Sequence, residues 1–413
     1  MSTLNVDKVD PSTGTALEIG TSGDTITVPS GATFVVAGTT EITGTNNVQR
    51  PNAQPLIING NCAISQRSTS VAGVGDGDTG FHTLDRWRFS EGGTPSTEFT
   101  MSQSTDVPSG YGFSNSLKMD CTTADASLNA SDSMMLQQRF EGQNLQLLKK
   151  GTSNAEKITV AFWVKSTVTG TYILELQDSD NIRNISKTYT ISSADTWEKK
   201  VVNFDGDTTG ALGNDNGNSF EINWWLQSGT DFATGSLQTS WGARTTDARA
   251  TGQVNTGSST SNDFLFTAVQ LEVGEFNSTT LPPFQHESYG DNLARCQRYF
   301  TQFGKNQGVT VGSSKTYGMG ITNNDDLNSF IHIALPTTMR TIPTSITQTG
   351  TASDYNIRAV STDACTGVPT FHSATPDAII LGFVNSVHSF GSGVVIRGQT
   401  NADDSFIGVD IEL

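Results

Sequence analysis

No run of about eighteen apolar residues occurs anywhere in this chain of 413 residues, so no helix of membrane-spanning length is expected. Residues Met1 to Pro11 lack a basic region followed by an apolar one, so no secretory signal is expected. Cysteine is scarce: Cys62, Cys121, Cys296 and Cys365 stand far apart, with no CxxC spacing. That excludes a disulfide scaffold and a zinc ribbon, and predicts buried free thiols in a reducing compartment. The histidines His82, His286, His332, His372 and His388 show neither HxH nor HExxH spacing, and no GxSxG elbow is present. Charge is sparse too, at 16%, against about a quarter in an average domain. Basic residues are the scarcer kind, 24 against 41 acidic, which leaves a net charge of −17. Such a chain repels phosphate backbones, so a nucleic-acid partner is not expected.

What fills the place of charge is Gly, of which there are 41, with Ser, Thr and Asn. This is the composition of β-structure with many turns. The length suggests two or three domains. Residues 1–55 contain no Trp, no Cys and one Phe, Phe34. Ile26, Phe34 and Ile42 recur at a spacing of eight, as do Val28 and Val36, with Gly31, Gly38 and Gly44 between them. Very short strands of this kind bury little in one copy and could close a core only against further copies. A tail that orders on a partner is the other reading of the same pattern.

Residues 56–289 read as period-two strands broken by turn residues. Strands are expected near Trp87–Ser90, Glu98–Gln103, Ser116–Cys121, Ser133–Phe140, Lys157–Ser166, Thr171–Gln177, Lys187–Ile191, Trp197–Phe204, Phe220–Gln227 and Asp263–Val273. A short helix is expected at Glu141–Lys150, with Leu145 and Leu148 on one face. The spacing of strands and turns indicates a two-sheet sandwich. Residues 290–413 open with a helix from Asp291, its expected N-cap. Strands follow at Thr316–Thr322, Ser329–Ala334, Tyr355–Val360, Ala378–Val384, Gly393–Arg397 and Asp404–Leu413.

Several stretches then carry a resemblance. Asp85-Arg-Trp-Arg88, Ala161-Phe-Trp-Val-Lys-Ser166, Ala194-Asp-Thr-Trp197, Gln270-Leu-Glu-Val-Gly274 and Ala294-Arg-Cys-Gln-Arg-Tyr299 occur in this order. Together they resemble the carbohydrate-binding-module-like jelly rolls of phage tail fibres and related virion proteins. Leu335-Pro-Thr-Thr-Met-Arg-Thr-Ile-Pro-Thr344 resembles the small β-domain that follows in such proteins, and Ser2-Thr-Leu-Asn-Val-Asp7 the start of many fibres. The fold class is therefore expected to be mainly β. It comprises an N-terminal β-rich arm (1–55), a two-sheet jelly-roll sandwich (56–289) and a smaller C-terminal β-domain (290–413). The resemblance implies a virion fibre assembled in the host cytoplasm as a homotrimer, joined to other virion proteins by its N-terminal arm and recognising a host-surface glycan. It also implies that a structural calcium ion could be held, for which Asp76–Gly80 and Gly213–Gly217 are rich in oxygen ligands. No other cofactor is expected. A purely structural capsid fibre or decoration protein remains the alternative, and a secreted glycan-active enzyme a third reading.

Catalysis is not expected. Asp178, Asp180, Asp205 and Asp207 lie in Gly- and Asn-rich turns, where Asp serves turn geometry, and no carboxylate pair stands out as a glycosidase would need. Parity within strands offers a ligand face instead. In Phe220–Gln227, Phe220, Ile222, Trp224 and Leu226 share the core side, while Glu221, Asn223, Trp225 and Gln227 point the other way. In Ile158–Lys165, Ile158, Val160, Phe162 and Val164 face in, and Trp163 and Lys165 face out; Glu175 shares outward parity with Ile173 and Gln177. Trp163 and Trp225 are therefore expected on one solvent-facing sheet, with Glu221, Asn223, Gln227 and Glu175 around them, as a glycan platform. Cover by a loop or a neighbouring subunit is the competing reading. Trp87 and Trp197 are read as structural, and Arg295 and Arg298 as ion-paired to acidic residues.

Overall fold

The structure, a computed structural model, describes residues 54–304, 315–323, 328–385, 390, 393–400, 402 and 405–413. The expected N-terminal arm, with Ile26, Val28, Phe34, Val36 and Ile42, lies outside the described residues. The protein is mainly β, as its composition requires. Its first strands are β1 (Ser70–Gly75), β2 (Arg88–Gly92), β3 (Glu98–Ser104), β4 (Ser116–Thr123), β5 (Ser133–Glu141) and β6 (Ile158–Ser166). They continue with β7 (Gly170–Asp178), β8 (Arg183–Ile191), β9 (Glu198–Phe204), β10 (Asn218–Ser228), β11 (Gly242–Ala243) and β12 (Asp263–Val273). They form two six-stranded sheets, in the orders β1-β3-β4-β12-β6-β9 and β11-β8-β7-β10-β5-β2, with all recorded pairings antiparallel. The chain passes repeatedly from one sheet to the other, which is the jelly-roll manner of joining two layers.

Alternation places the core as the sequence indicates. Phe220, Ile222, Trp224 and Leu226 of β10 meet Ile158, Val160, Phe162 and Val164 of β6 in one buried cluster. Trp87 sits at its centre, with its ring 4.7 Å from Phe266 and 5.5 Å from Trp224. The expected helix at Glu141–Lys150 is instead two single 3-10 turns, Gly142–Asn144 and Gln146–Leu148. Leu145 and Leu148 still reach the core. The chain cannot continue as a helix because Lys149 takes a left-handed conformation, φ 50°.

Helix α1 (Tyr289–Gln297) leads into the remaining strands. Its N-cap is Ser288, not Asp291: the Ser288 hydroxyl accepts from the Asp291 N–H at 3.1 Å and donates to the Asp291 carboxylate at 2.7 Å. Both residue types cap well, and the reciprocal pair selects the earlier one. Next come β13 (Phe300–Phe303), β14 (Lys315–Thr322), β15 (Asn328–Ala334), β16 (Thr347–Gln348) and β17 (Tyr355–Arg358). The last are β18 (Thr362–Ala364), β19 (Thr370–Thr375), β20 (Ala378–Val384), β21 (Val395–Thr400) and β22 (Ile407–Asp410). They build a three-stranded sheet, β13-β22-β16, and a seven-stranded sheet, β18-β17-β21-β14-β15-β20-β19. Ile331, Ile333, Tyr355, Ile357, Ile379, Leu381, Phe383 and Ile396 form a second core.

The strand expected over Asp404–Leu413 is shorter, because the last residues leave the sheet to meet cations. Arg67 donates to Asp410 at 2.9 Å, Arg86 is hydrogen-bonded to Glu412, and Arg139 donates to the Leu413 carbonyl at 2.9 Å. Arg340 donates to the Ile411 carbonyl at 3.0 Å. Arg67 also lies over the Phe300 ring, and Arg86 over that of Tyr299. Beside them, Arg298 forks onto Glu141 at 2.8 and 2.7 Å, and Arg295 pairs with Glu287 at 2.7 Å. Arg295 and Arg298 thus pair with acids of the protein itself, as read from the sequence, and the two cores belong to one compact unit.

Candidate functional site

On β10 the polar side points away from the core, but not into solvent. Residues 229–255 leave the end of β10 and return across that face. Phe232 packs on Trp225 with ring centroids 5.5 Å apart, and Leu237 and Ala250 join Met135 and Ile173 in a small apolar cluster around it. Arg249 reaches beneath this roof and forks onto Glu175, Nε and Nη2 each at 2.8 Å, while its guanidinium lies 5.0 Å from the Trp225 ring. Glu175 also accepts from Asn184 (2.9 Å), from Asn223 (3.1 Å) and from the Trp225 indole N–H (3.2 Å). Asn223 accepts from Gln137 at 2.8 Å, Gln227 bonds Thr97, and Glu221 pairs with Arg139 at 3.0 Å. Trp225, Asn223, Gln227 and Glu175 are wholly buried, and Glu221 is nearly so. The expectation of an open platform on these residues is thus corrected: the face is an interior layer. Parity fixes the side of a sheet on which a residue stands, not what lies over that side.

Trp163 does not share that sheet. It stands on β6 in the other one, so the two tryptophans occupy opposite outer faces of the sandwich. The choice of partners decides this: β6 pairs with β9 and β12, β10 with β5 and β7. Trp163 is half-buried, directly opposite Lys199 on β9 and Thr267 on β12. Residues 105–115, between β3 and β4, bring Tyr111 over it. The two rings are 4.4 Å apart at 50°, and Tyr111 is 58% exposed.

Four polar contacts hold this arrangement. The Thr267 hydroxyl donates to the Asn115 carbonyl at 2.7 Å, and that of Ser116 to the Asp106 carbonyl at 2.6 Å, which closes the loop. The Asp106 carboxylate accepts from the Trp197 indole N–H at 2.9 Å and pairs with Lys165. Slight burial pushes the Asp106 carboxyl up, but the hydrogen bonds from Lys165 and Trp197 outweigh it and hold the group below its ordinary value. The surface therefore offers two aromatic faces, two ammonium groups, Lys165 and Lys199, and one fixed carboxylate. Stacked rings can support the apolar face of a ring-shaped ligand while the charged groups hydrogen-bond its hydroxyls. Of these, only Trp163 was singled out as a ligand residue from the sequence. Tyr111 and Asp106 lie on a loop with no period, and Trp197 reads as an edge residue; the tertiary fold alone brings them to β6.

The acidic turns have their own partners. Lys150 pairs with Asp178 and, at 2.9 Å, with Asp207, which Arg183 also binds at 2.8 Å. In the stretch Gly213–Gly217, Asp215 accepts from the Gly217 N–H at 2.8 Å, and Asp180 from that of Gly213 at 2.7 Å. Among the described residues no three His, Cys, Asp or Glu side chains group as a metal site would require.

No family model and no curated protein sequence matches this chain. Among solved structures it is similar to the enzymatically active domain of tailspike protein 4 of bacteriophage CBA120, at 14% identity and a TM-score of 0.26, over 46% of this chain and 19% of that one. It is also similar to a family 11 carbohydrate-binding module of a cellulosomal cellulase of Clostridium thermocellum, at 10% identity and a TM-score of 0.26, over 50% of this chain and 96% of that one. Identity and TM-score are low in both, and the reading of the site rests on its own geometry.

Proposed function

We propose that the chain is a non-catalytic, glycan-binding protein of a phage virion, a homotrimeric fibre attached to the particle through its N-terminal arm. The observation that carries the glycan-binding part is the Tyr111–Trp163 pair, open to solvent and rimmed by Lys165, Lys199 and Asp106. The outer face of the opposite sheet is filled by Arg249 and its neighbours, so a ligand has access to the Trp163 side. A shallow wedge of two rings binds weakly alone, and three copies on one fibre supply avidity. The sequence resemblance supports the virion location, and the repeat of Ile26, Phe34 and Ile42 supports the shared arm.

The test uses the full-length oligomer on an array of surface glycans. Tyr111→Ala combined with Trp163→Ala should still melt in one cooperative transition, with a drop of a few degrees because Trp163 is half-buried. Retention on the glycans that bind the native protein should fall by roughly tenfold or more. Unchanged retention in the folded variant, or no retention of the native protein on any glycan, would refute the proposal.

A further inference from the structure

Strand β12 is irregular beside the Trp163 surface. From Thr267 to Gln270 it advances three residues while β6 advances two, from Trp163 to Ala161. The extra residue makes a β-bulge, in which Ala268 takes φ 56°, a left-handed conformation that alanine rarely adopts. In an unbroken strand, residues three apart point to opposite sides. The bulge cancels that inversion, so Thr267 and Gln270 stand on the same outer side as Trp163 and Ala161. Both are buried there, and each holds a loop. The Thr267 hydroxyl donates to the Asn115 carbonyl at 2.7 Å, and Gln270 Nε2 donates to the Pro282 carbonyl at 3.0 Å.

The two loops held in this way bring further rings together. Phe113, on the loop before β4, meets Phe284, on the segment after β12, with centroids 5.2 Å apart at 81°. His286 lies 5.2 Å from Phe113 at 32° and 5.0 Å from Phe284 at 68°. Phe113 and Phe284 are half-buried and His286 is exposed, so an imidazole reaches solvent while held against two rings. Gly112 joins this cluster to the Tyr111–Trp163 pair. It follows Tyr111, its φ is 80°, and a Cβ on it would stand 3.9 Å from His286 Nε2. The rings of Trp163, Tyr111, His286, Phe113 and Phe284 thus adjoin as one aromatic patch. Pro282 and Pro283 restrict the backbone that leads to Phe284, and Glu287 beyond it is paired with Arg295 at 2.7 Å.

We propose that the glycan site extends from the Tyr111–Trp163 pair onto the Phe113–Phe284–His286 cluster, and so takes a run of several linked sugars of a polysaccharide, not a single terminal sugar. The proposal rests on the reading of Tyr111 and Trp163 as glycan contacts and adds the size of the ligand. A contiguous exposed apolar patch marks an interaction site, and continuity with Trp163 names the occupant as the same ligand. A sugar ring covers about one aromatic ring, so two clusters joined through Gly112 are matched by a chain of sugars. β-Bulges are frequent beside binding sites, where they re-aim side chains; here the re-aimed Gln270 holds the segment that carries the second cluster. Rings fixed before binding lose little freedom when a ligand arrives, which favours the shallow contacts that successive sugars make.

The experiment titrates the full-length protein with size-fractionated fragments of one, two, four and six sugars from cellulose, xylan, chitin, amylose and dextran. For at least one polymer, the six-sugar fragment should bind roughly tenfold tighter than the two-sugar fragment. Phe284→Ser with His286→Ala should remove most of that gain and leave the two-sugar affinity unchanged. Tyr111→Ala with Trp163→Ala should abolish binding of every fragment. His286→Ala alone changes an exposed side chain, so it serves if the double variant does not fold; it should lower six-sugar affinity by roughly threefold. The extension is overturned, and the Tyr111–Trp163 reading kept, if an array glycan retains the native protein but no polymer shows a gain from two to six sugars. An unchanged gain in the folded cluster variants has the same meaning. No binding of any fragment and no retention on any array glycan overturns both. Light scattering supplies a further refutation: Phe284→Ser dissociating the oligomer would make the cluster a contact between copies.

Discussion

Removing Arg249 tests whether the polar face of β10 is an interior. Arg249→Ala deletes the fork onto Glu175 and the cation above Trp225, and leaves a carboxylate with no exposed side-chain surface facing a hole. The side-chain exposures are 13% for Arg249 and 0% for Glu175, so the carboxylate lies beneath the surface and keeps only the neutral donors of Asn184, Asn223 and Trp225. Breaking such a pair from one side costs about 3–5 kcal/mol, whereas replacing both partners by neutral groups of similar size is often harmless. At about 2–4 °C per kcal/mol for a domain of this size, the melting temperature of Arg249→Ala should fall by roughly 10 °C. Arg249→Met combined with Glu175→Gln should recover most of that loss. Differential scanning calorimetry reads both variants, and quenching of tryptophan emission by acrylamide reads whether residues 229–255 still cover Trp225. An unchanged melting temperature in Arg249→Ala, or a double variant no more stable than the single one, would refute the account of this face as a packed layer.

Two more outcomes follow from buried groups. Burial pushes the Glu141 carboxyl up, but hydrogen bonds from Arg298 and Tyr299, together with the Arg298 charge, hold it below its ordinary value. A carboxylate with a depressed folded-state value stabilises above its unfolded value of about 4.3 and loses that contribution as pH falls through the folded one. The stability deficit of Glu141→Gln, measured by urea unfolding, should therefore be largest from about pH 5 upward and shrink towards pH 3; a deficit independent of pH would contradict this. The thiols form the other case. Burial pushes Cys62 and Cys365 up to about 12 and Cys121 to about 11, and raises Cys296 as well. All four should resist Ellman's reagent at pH 8 in the native protein and react in guanidinium, and rapid native labelling would refute their placement.

Strand identity was legible in the sequence because alternation is a local property. Asp263–Val273 and Ala378–Val384 begin and end where the pattern of apolar and polar residues does. The core sides of β6 and β10 follow from the same parity, and the four isolated cysteines are free and buried as their spacing implied. Capping was less legible: Ser288 and Asp291 are both good N-caps three residues apart, and only the reciprocal hydrogen bonds distinguish them.

The candidate site lay further from reach. Trp163 and Trp225 obey one parity rule, yet they lie in different sheets, because hydrogen-bonded neighbours are chosen by long-range packing and not by the strand's own residues. The roof over Trp225 depends on Arg249 finding Glu175, 74 residues earlier in the chain. Tyr111 meets Trp163 because a loop pinned by Thr267 folds back over β6. The sequence by itself determined which segments are strands, which side of each is apolar, and that charge would be scarce and mostly negative. The tertiary structure alone decided which outward faces stay open to a ligand, since exposure belongs to the whole surface and alternation only to one strand.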